Sequence, residues 1–351
     1  SGAYRVASTR FEAMALRVSL QAMPTAPPLP INANAGRYTA EPDLVPGPTR
    51  LLLVDLPMLT PGVATLPQVF VAAAGVGSGW RKADLLLSLD DGLSWDPIGQ
   101  TAAPAIIGTA ETVLQPGSPC AFDDINALDV TLVPGSADLL AVDDDALIAG
   151  RNLALVGQEL IQFGVVTPLG PHQFRLSRLL RGRRGTEWAQ SEHHLAERFL
   201  LIERDTLLPI SVAVGTASVR VLAHGLGDLS PVEATLLAPG QALEPLSPIA
   251  LTAERAPNGD LQFAWIRRSR DGWRWNDGVD APLVEESERY QVALEPDVGL
   301  VRSMIVDEPR WTYPLAEQNA DTASGAATVT VRVAQIGTHT VSRSVTLLIA
   351  L

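Results

Sequence analysis

The sequence predicts a mainly β chain that contains several domains. Short apolar runs with period-two alternation recur along its length, as they do in half-buried strands. The 27 prolines and 28 glycines are scattered between these runs, where they mark the ends of strands and the turns. With 351 residues and 46% hydrophobic content, the chain is long enough for two or three domains with substantial cores.

Residues 1–60 are predicted to form an N-terminal β segment and a proline-rich connector. Residues 4–23 form two strands, or one strand followed by an extended segment. Residues 24–50 contain PTAPPLP and LVPGPT, which are too rich in proline for a helix or a central strand. Residues 50–59 then make a short apolar run between prolines, which indicates a buried strand.

Residues 61–243 are predicted to form a second β region. Strands are expected at 68–74, 85–89, 105–114, 127–132 and 199–202, and as a hairpin around Gly157. Residues 211–223, as one or two strands, are expected to pair with the strands near 69 and 85. Residues 106–204 would then be a domain inserted into a split outer domain.

A short helix is predicted over residues 142–151. Asp143 is placed to cap it and Gly150 to end it. The three consecutive aspartates also allow a metal site, but a capped and solvated helix start explains them more simply.

Residues 244–351 are predicted to fold as a fibronectin type III-like sandwich. Six or seven alternating apolar segments follow Pro245, and the second of them carries an inward Trp265. Trp273 and Trp275 lie in a predicted loop, RDGWRWNDG. Two interpretations of this pair remain open: contact with a glycan or a protein partner, or packing over the edge of the sandwich.

Composition excludes several classes of function. A net charge of −13 argues against nucleic acid as a partner, because a nucleic-acid footprint is basic. No apolar run is long enough to span a bilayer. The single cysteine, Cys120, rules out an internal disulfide framework and is expected to be a buried thiol.

No pattern of catalytic or metal-binding residues is present. The sequence lacks a nucleophile elbow, a phosphate-binding loop and a zinc-protease motif. His193 and His194 are adjacent, so they point apart and are expected at the surface or at an interface. We therefore predict no catalytic residues, no metal, no cofactor and no enzymatic activity.

The stretch FRLSRLLRGRRGTEWA, residues 174–189, concentrates charge after a predicted strand. Gly182 and Gly185 suggest a tight, exposed turn. We predict that Arg181, Arg183 and Arg184 form an interface with acidic groups on a neighbouring domain or subunit, because arginine pairs with carboxylates in a bidentate geometry. The alternative is a solvated hairpin tip whose charges contribute little.

LLRGRRGTEWA, GQELIQF and LSPIALTAERAPNGDLQFAWIRRSR together resemble the C-terminal half of gene transfer agent host-specificity proteins. These are baseplate hub proteins related to siphophage tail-tip proteins. LLLVDLPML, LLLSLDDGLSW, GRNLALVGQ and PLVEESERYQV match in the same order, so the resemblance covers the chain from about residue 50 onward. The family carries a glycoside-hydrolase-like barrel further upstream, and none of its catalytic residues corresponds to a position here.

The resemblance implies hub-like β domains and a structural part of a tail tip or baseplate, which contributes to tail assembly and host attachment. It implies a homotrimer in a phage-like particle made in the bacterial cytoplasm, with other tail subunits as partners. A host cell-surface glycan or receptor is a further partner that it allows. Two alternatives stand beside it: a carbohydrate- or receptor-binding module that uses the tryptophans, and a segment of a cell-wall glycan hydrolase.

Overall fold

The computed structural model describes residues 2–12, 14–23, 44–59, 64–237, 239–271 and 281–351. The chain divides into two units, Ser1–Asp43 and Leu44–Leu351. The first unit contains one antiparallel hairpin, β1 (Tyr4–Glu12) and β2 (Ala15–Ala22). The larger unit contains every other described element. Most elements are strands, which confirms the prediction of a mainly β chain.

Ten strands of the larger unit lie between residues 49 and 201, and three more follow before residue 238. They are β3 (Thr49–Asp55), β4 (Gln68–Gly75), β5 (Asp84–Ser88), β6 (Asp96–Gln100), β7 (Ile107–Ala110), β8 (Leu128–Leu132), β9 (Leu153–Val156), β10 (Glu159–Gly170), β11 (Gln173–Leu180), β12 (Arg198–Leu201), β13 (Leu207–Ser211), β14 (Ser218–His224) and β15 (Val232–Leu237). One helix, α1 (Asp144–Ile148), and 3-10 turns at Arg183–Gly185, Glu187–Ser191, Arg204–Thr206 and Gln241–Leu243 complete the region.

These strands form a barrel and a sandwich. The closed barrel has six strands in the order β10-β11-β8-β7-β12-β9. The sandwich, which we call the split sandwich, consists of the sheets β13-β4-β3 and β15-β14-β5-β6. All barrel strands lie between β6 and β13 in sequence. The predicted pairings hold, since β13 pairs with β4 and β14 pairs with β5.

The predicted boundary at residue 60 needs a correction. β3 lies inside the segment assigned to the N-terminal connector, yet it pairs along its whole length with β4. Leu51 and Leu53 explain this, because their side chains are buried in the core of the split sandwich. The other predicted boundaries, 106–204 for the inserted domain and 244 for the last domain, stay predictions. Residues 24–43 of the predicted connector lie outside the described residues.

In residues 249–271 and 281–351, which the structure describes, the C-terminal sandwich contains seven strands and one helix. They are β16 (Ile249–Arg255), β17 (Leu261–Ile266), β18 (Arg289–Pro296), β19 (Arg302–Val306), β20 (Arg310–Tyr313), α2 (Leu315–Ala323), β21 (Thr328–Ile336) and β22 (Val345–Ala350). The sheets β16-β17-β20 and β19-β18-β21-β22 face each other, which is a fibronectin type III-like arrangement. The sequence did not predict α2.

Alternate residues of three strands fill the core of this sandwich, as the sequence pattern predicts. Every second residue of β17, β18 and β21 is buried. Trp265 is 4% exposed, and its ring meets that of Tyr290 edge-on with centroids 5.2 Å apart. The register derived from the sequence is therefore right at Trp265.

Replacing Trp265 by alanine should lower the free energy of unfolding of the C-terminal sandwich by about 3–5 kcal/mol, since it leaves a cavity in a closed core. Hydrogen exchange of the sandwich amides measures this local free energy. Ile266→Ala is the matched control, because Ile266 is the next residue and is 51% exposed. Equal exchange in both variants would contradict the assigned register.

Candidate functional site: the arginine loop and the cleft beside it

Arg181, the first residue after β11, is buried inside the barrel domain. Its side chain is 0% exposed. Its guanidinium donates to Glu159 Oε2 at 2.8 Å, to Asp123 Oδ2 at 3.1 Å and to the carbonyl oxygen of Gln115 at 2.7 Å. The prediction that Arg181 lies at an exposed interface is therefore wrong. A buried guanidinium needs several acceptors, and Glu159 and Asp123 supply them from within the same domain.

His193 extends this ion network to a third carboxylate. Its Nε2 lies 2.7 Å from Glu159 Oε2 and its Nδ1 lies 2.6 Å from Glu197 Oε1. Only 2% of the His193 side chain is exposed, so the expectation of a surface histidine is wrong for His193, whereas His194 is exposed. Burial alone lowers the pKa of His193, but the hydrogen bonds to Glu159 and Glu197 outweigh burial and raise that pKa to about 9.

Two carboxylates of this network, Glu159 and Asp123, are held in the charged form. Burial favours the neutral form of Glu159, but hydrogen bonds from His193 and Arg181 outweigh it and lower the pKa of Glu159. The pKa of Asp123 is likewise lowered, because hydrogen bonds from Asn126 and Arg181 outweigh the effect of burial. Both sites therefore remain anionic opposite Arg181.

The segment after Arg181, residues 181–188, is called here the arginine loop. Gly182 adopts φ 57° and donates its amide to Glu159 Oε1 at 2.6 Å. A Cβ on Gly182 would lie 2.6 Å from the Cβ of Glu187, so only glycine fits at this turn. Thr186 Oγ1 accepts the amide of Leu160 at 2.9 Å and donates to the carbonyl of Arg183 at 2.8 Å. These bonds attach the loop to β10.

The arginine loop also contacts the C-terminal sandwich. The prediction had arginines of the loop pairing with carboxylates of a neighbour, whereas in this contact the arginine belongs to the sandwich. The carboxylate comes from the loop, where Glu187 pairs with Arg268 of the sandwich. Arg343 lies over the ring of Trp188, with its Cζ 3.4 Å from the ring centroid. A Cβ on Gly185, which has φ 85°, would lie 2.3 Å from Leu246 Cδ2. The sandwich thus packs directly on the turn.

Residues 240–243, which precede the C-terminal sandwich and are called here the connecting segment, form hydrogen bonds with both sandwiches. Asp55, the last residue of β3, accepts the amides of Gly240 and Gln241 at 2.7 and 3.0 Å. Arg270, which is 9% exposed, pairs with Glu285 at 2.7 Å and donates to the carbonyl of Ala242 at 2.7 Å. These bonds and the arginine loop hold the sandwich from two sides.

Arg183 and Arg184 face a cleft between the arginine loop and the sandwich, with a volume of about 490 Å³. Arg184 donates to the carbonyl of Leu59 at 2.9 Å. Arg183 is half-buried, and its guanidinium has no hydrogen-bond or ion-pair partner in the described part of the chain. Burial lowers the pKa of both groups, and at Arg183 the charge of Arg184 lowers it further. Their predicted interface role stays a prediction.

Other residues singled out from the sequence have these positions. Asp143 caps α1 by accepting the amide of Ala146 at 2.9 Å, as predicted. Cys120 is exposed beside the cleft, so the expectation of a buried thiol is wrong. Trp273 and Trp275 lie outside the described residues. Among the described residues, no group of three His, Cys, Asp or Glu is placed to hold a metal ion, and no helix has the length and apolar character to cross a membrane.

Four members of the ion network were not predicted from the sequence: Asp123, Glu159, His193 and Glu197. Glu159 carried a usable signal, because it begins the buried run ELIQF, where a carboxylate requires a partner. Asp123, His193 and Glu197 lie far from Glu159 in the sequence and carried no such signal. The barrel topology brings the four together around Arg181.

Comparison with known families matches this part of the chain. Residues 105–200 match the model of the family described as "Rcc01698-like, C-terminal". The matched segment contains the barrel, apart from the last residue of β12, and every charged residue of the network around Arg181. The match supports a relation to gene transfer agent proteins. No curated protein matches the chain.

Two solved structures that match the chain are distant likenesses. A segment of two fibronectin type III domains from chicken tenascin has 10% identity and a TM-score of 0.23, covering 69% of this chain and 99% of that one. The FN1–FN3 domains of chicken CNTN1 have 10% identity and a TM-score of 0.22, covering 87% of this chain and 98% of that one. TM-scores this low do not support any conclusion about the fold. The fibronectin type III-like arrangement of the C-terminal sandwich is shown by its strand order.

Replacing Arg181 by methionine should lower the free energy of unfolding of the barrel by about 3–5 kcal/mol, because two buried carboxylates lose their shared cation. Chemical denaturation followed by hydrogen exchange of the barrel strands measures it. Arg175→Met, in the strand that precedes Arg181, is the control. Arg175 pairs with Asp129 at 2.7 Å with half of its side chain exposed, so its loss should cost about 0–1 kcal/mol. Similar losses in both variants would contradict the account.

Barrel stability should fall as the pH rises from 6.5 to about 9. The folded-state pKa of His193 is raised above its ordinary value of 6.5, so its contribution is complete below pH 6.5 and disappears as the pH passes the folded value. Melting temperatures measured across this range test the prediction. His193→Asn should remove the slope, and His194→Asn, at the exposed neighbour, should retain it. A slope that persists in His193→Asn would refute the assignment.

A valine at Gly185 should separate the C-terminal sandwich from the arginine loop, because it would clash with Leu246 at a position with positive φ. Small-angle X-ray scattering should show a larger radius of gyration. Gly150→Val is the control, since Gly150 has φ 90° and no atom within 4 Å of a Cβ. Expansion in the control as well, or in neither variant, would count against the docking contact.

Proposed function

We propose that the chain is a structural component of the tail tip or baseplate of a phage-like particle, of the gene transfer agent or siphophage type. One observation carries the proposal. The match to the Rcc01698-like family covers the barrel domain, and the barrel contains the ion network that holds the arginine loop. The order of motifs along the rest of the chain adds support.

The contacts around the arginine loop suit a mechanical role. Glu187, Trp188 and Gly185 tie the barrel to the C-terminal sandwich, and Asp55 ties the split sandwich to the same connecting segment. A particle component that transmits contact with a host surface needs domains held in a defined orientation. We propose that the chain does this without catalysing a reaction.

The proposed partners follow from the same role. They are further copies of this chain, as a trimer about the tail axis, and neighbouring tail subunits. A glycan or receptor on the host surface is proposed as the outer contact. Nucleic acid is not a proposed partner, because a net charge of −13 repels a polyanion.

The proposal is tested by locating the chain in particles released by its source bacterium. Gold-labelled antibody against the C-terminal sandwich should mark one end of the tail. Deleting the gene should yield particles that lack the tail tip and do not attach to host cells. Label distributed over the head, or complete and infective particles in the deletion strain, would refute the proposed function.

A further inference from the structure

We propose that the cleft between the arginine loop and the C-terminal sandwich binds a short acidic peptide segment that carries apolar side chains, supplied by another protein. Its volume of about 490 Å³ is in the range of ligand sites. Its walls combine Arg183 and Arg184 with apolar groups from three parts of the chain, namely Met58, Trp188, Leu246 and Ile249.

The cations of the cleft fall into two groups. The arginines of the sandwich side are engaged within the chain: Arg268 by Glu187, Arg270 by Glu285, and Arg343 by Trp188. On the loop side, Arg183 has no partner among the described residues, and Arg184 donates to a single carbonyl oxygen. A half-buried guanidinium without a partner is costly, and an incoming carboxylate would relieve that cost with a bidentate pair.

The geometry of the loop keeps Arg183 in this position. The turn between Gly182 and Thr186 is fixed to β10 through Glu159 and Leu160, so the backbone that carries Arg183 is held before any ligand arrives. Preorganised donors bind better because little freedom is lost on binding.

The remaining lining favours a peptide over an acidic sugar. Two of the three neutral hydroxyls in the lining already donate within the chain: Thr186 donates to the carbonyl of Arg183, and Ser247 donates to the carbonyl of Pro248. Apolar side chains beside two cations suit Leu, Ile or Phe next to Asp or Glu. A peptide with isolated carboxylates also suffers less repulsion from the chain's net charge of −13 than a polyphosphate does.

This inference rests on the proposed function only for the source of the peptide, which would be a neighbouring protein of the particle. The two can fail separately. A chain that binds acidic peptides but is absent from tail tips keeps the site and loses the proposed function. A chain located at tail tips that binds no such peptide loses the site alone.

The test uses the full chain, immobilised and panned against a display library of random short peptides. Peptides that combine Asp or Glu with Leu, Ile or Phe should be enriched. Fluorescence anisotropy with a labelled enriched peptide then measures affinity. Arg183→Glu with Arg184→Glu should weaken binding by about tenfold or more, and added sodium chloride should weaken binding to the parent chain.

Arg151→Glu is the matched control, because Arg151 is an exposed barrel arginine outside the cleft, and its affinity should stay within about twofold of the parent. Circular dichroism checks that the loop variant is folded, which is expected because Arg183 makes no ion pair in the described chain. No enriched peptide, enrichment of neutral or basic peptides, or unchanged affinity in the loop variant would overturn the proposal. Tighter binding of alginate oligosaccharides than of any peptide would overturn it in favour of a glycan.

Discussion

The buried ion pair between Arg181 and Glu159 is the interaction on which the rest of the structure depends. Both side chains are 0% exposed, so removing either one leaves a buried charge without its main partner. Glu159 also receives the amide of Gly182 and contacts His193, which links the end of β11 to the segment before β12. One carboxylate at the start of β10 thereby fixes the arginine loop and the returning chain.

The contact between domains follows from this fixed loop. Because Gly182 must adopt positive φ, the chain turns sharply and directs Glu187 and Trp188 at the C-terminal sandwich. Arg268 of the sandwich pairs with Glu187, and Arg343, which lies over Trp188, has Glu244 Oε1 at 3.8 Å, so both cations have a carboxylate nearby. Among the described residues, Arg183 and Arg184 of the loop have no carboxylate partner. The cleft beside them is therefore suited to an anion.

The sequence predicted the strands well where burial is one-sided and the period is two. Trp265 and its neighbours in β17 alternate between core and solvent, and a helix pattern does not reproduce that alternation. The pairing of β13 with β4 across the barrel was also predicted, from the strand pattern on both sides of the insertion. α2 was missed because its residues, LAEQNADTA, have little amphipathic pattern.

The charged site was predicted only in part, because local sequence does not determine burial of a charge. Arg181, Arg183 and Arg184 look alike in RGRRG, yet one is enclosed, one is half-buried and one is exposed. The difference is set by Glu159 and Asp123, 22 and 58 residues away, which close over Arg181 only when the barrel forms. Partners separated by this many residues cannot be recognised from the spacing of residues in a single sequence.

The central claim is that the ion network around Arg181 holds the arginine loop, and that the loop holds the C-terminal sandwich. Double electron–electron resonance tests it directly by measuring the distance between two spin labels. The labels are attached at Arg151→Cys in the barrel and Thr346→Cys in the sandwich, in a Cys120→Ser background. We expect one narrow distance distribution, which broadens when Glu159→Gln is added while the barrel stays folded by circular dichroism. A broad distribution before that substitution, or an unchanged narrow one after it, would contradict the claim.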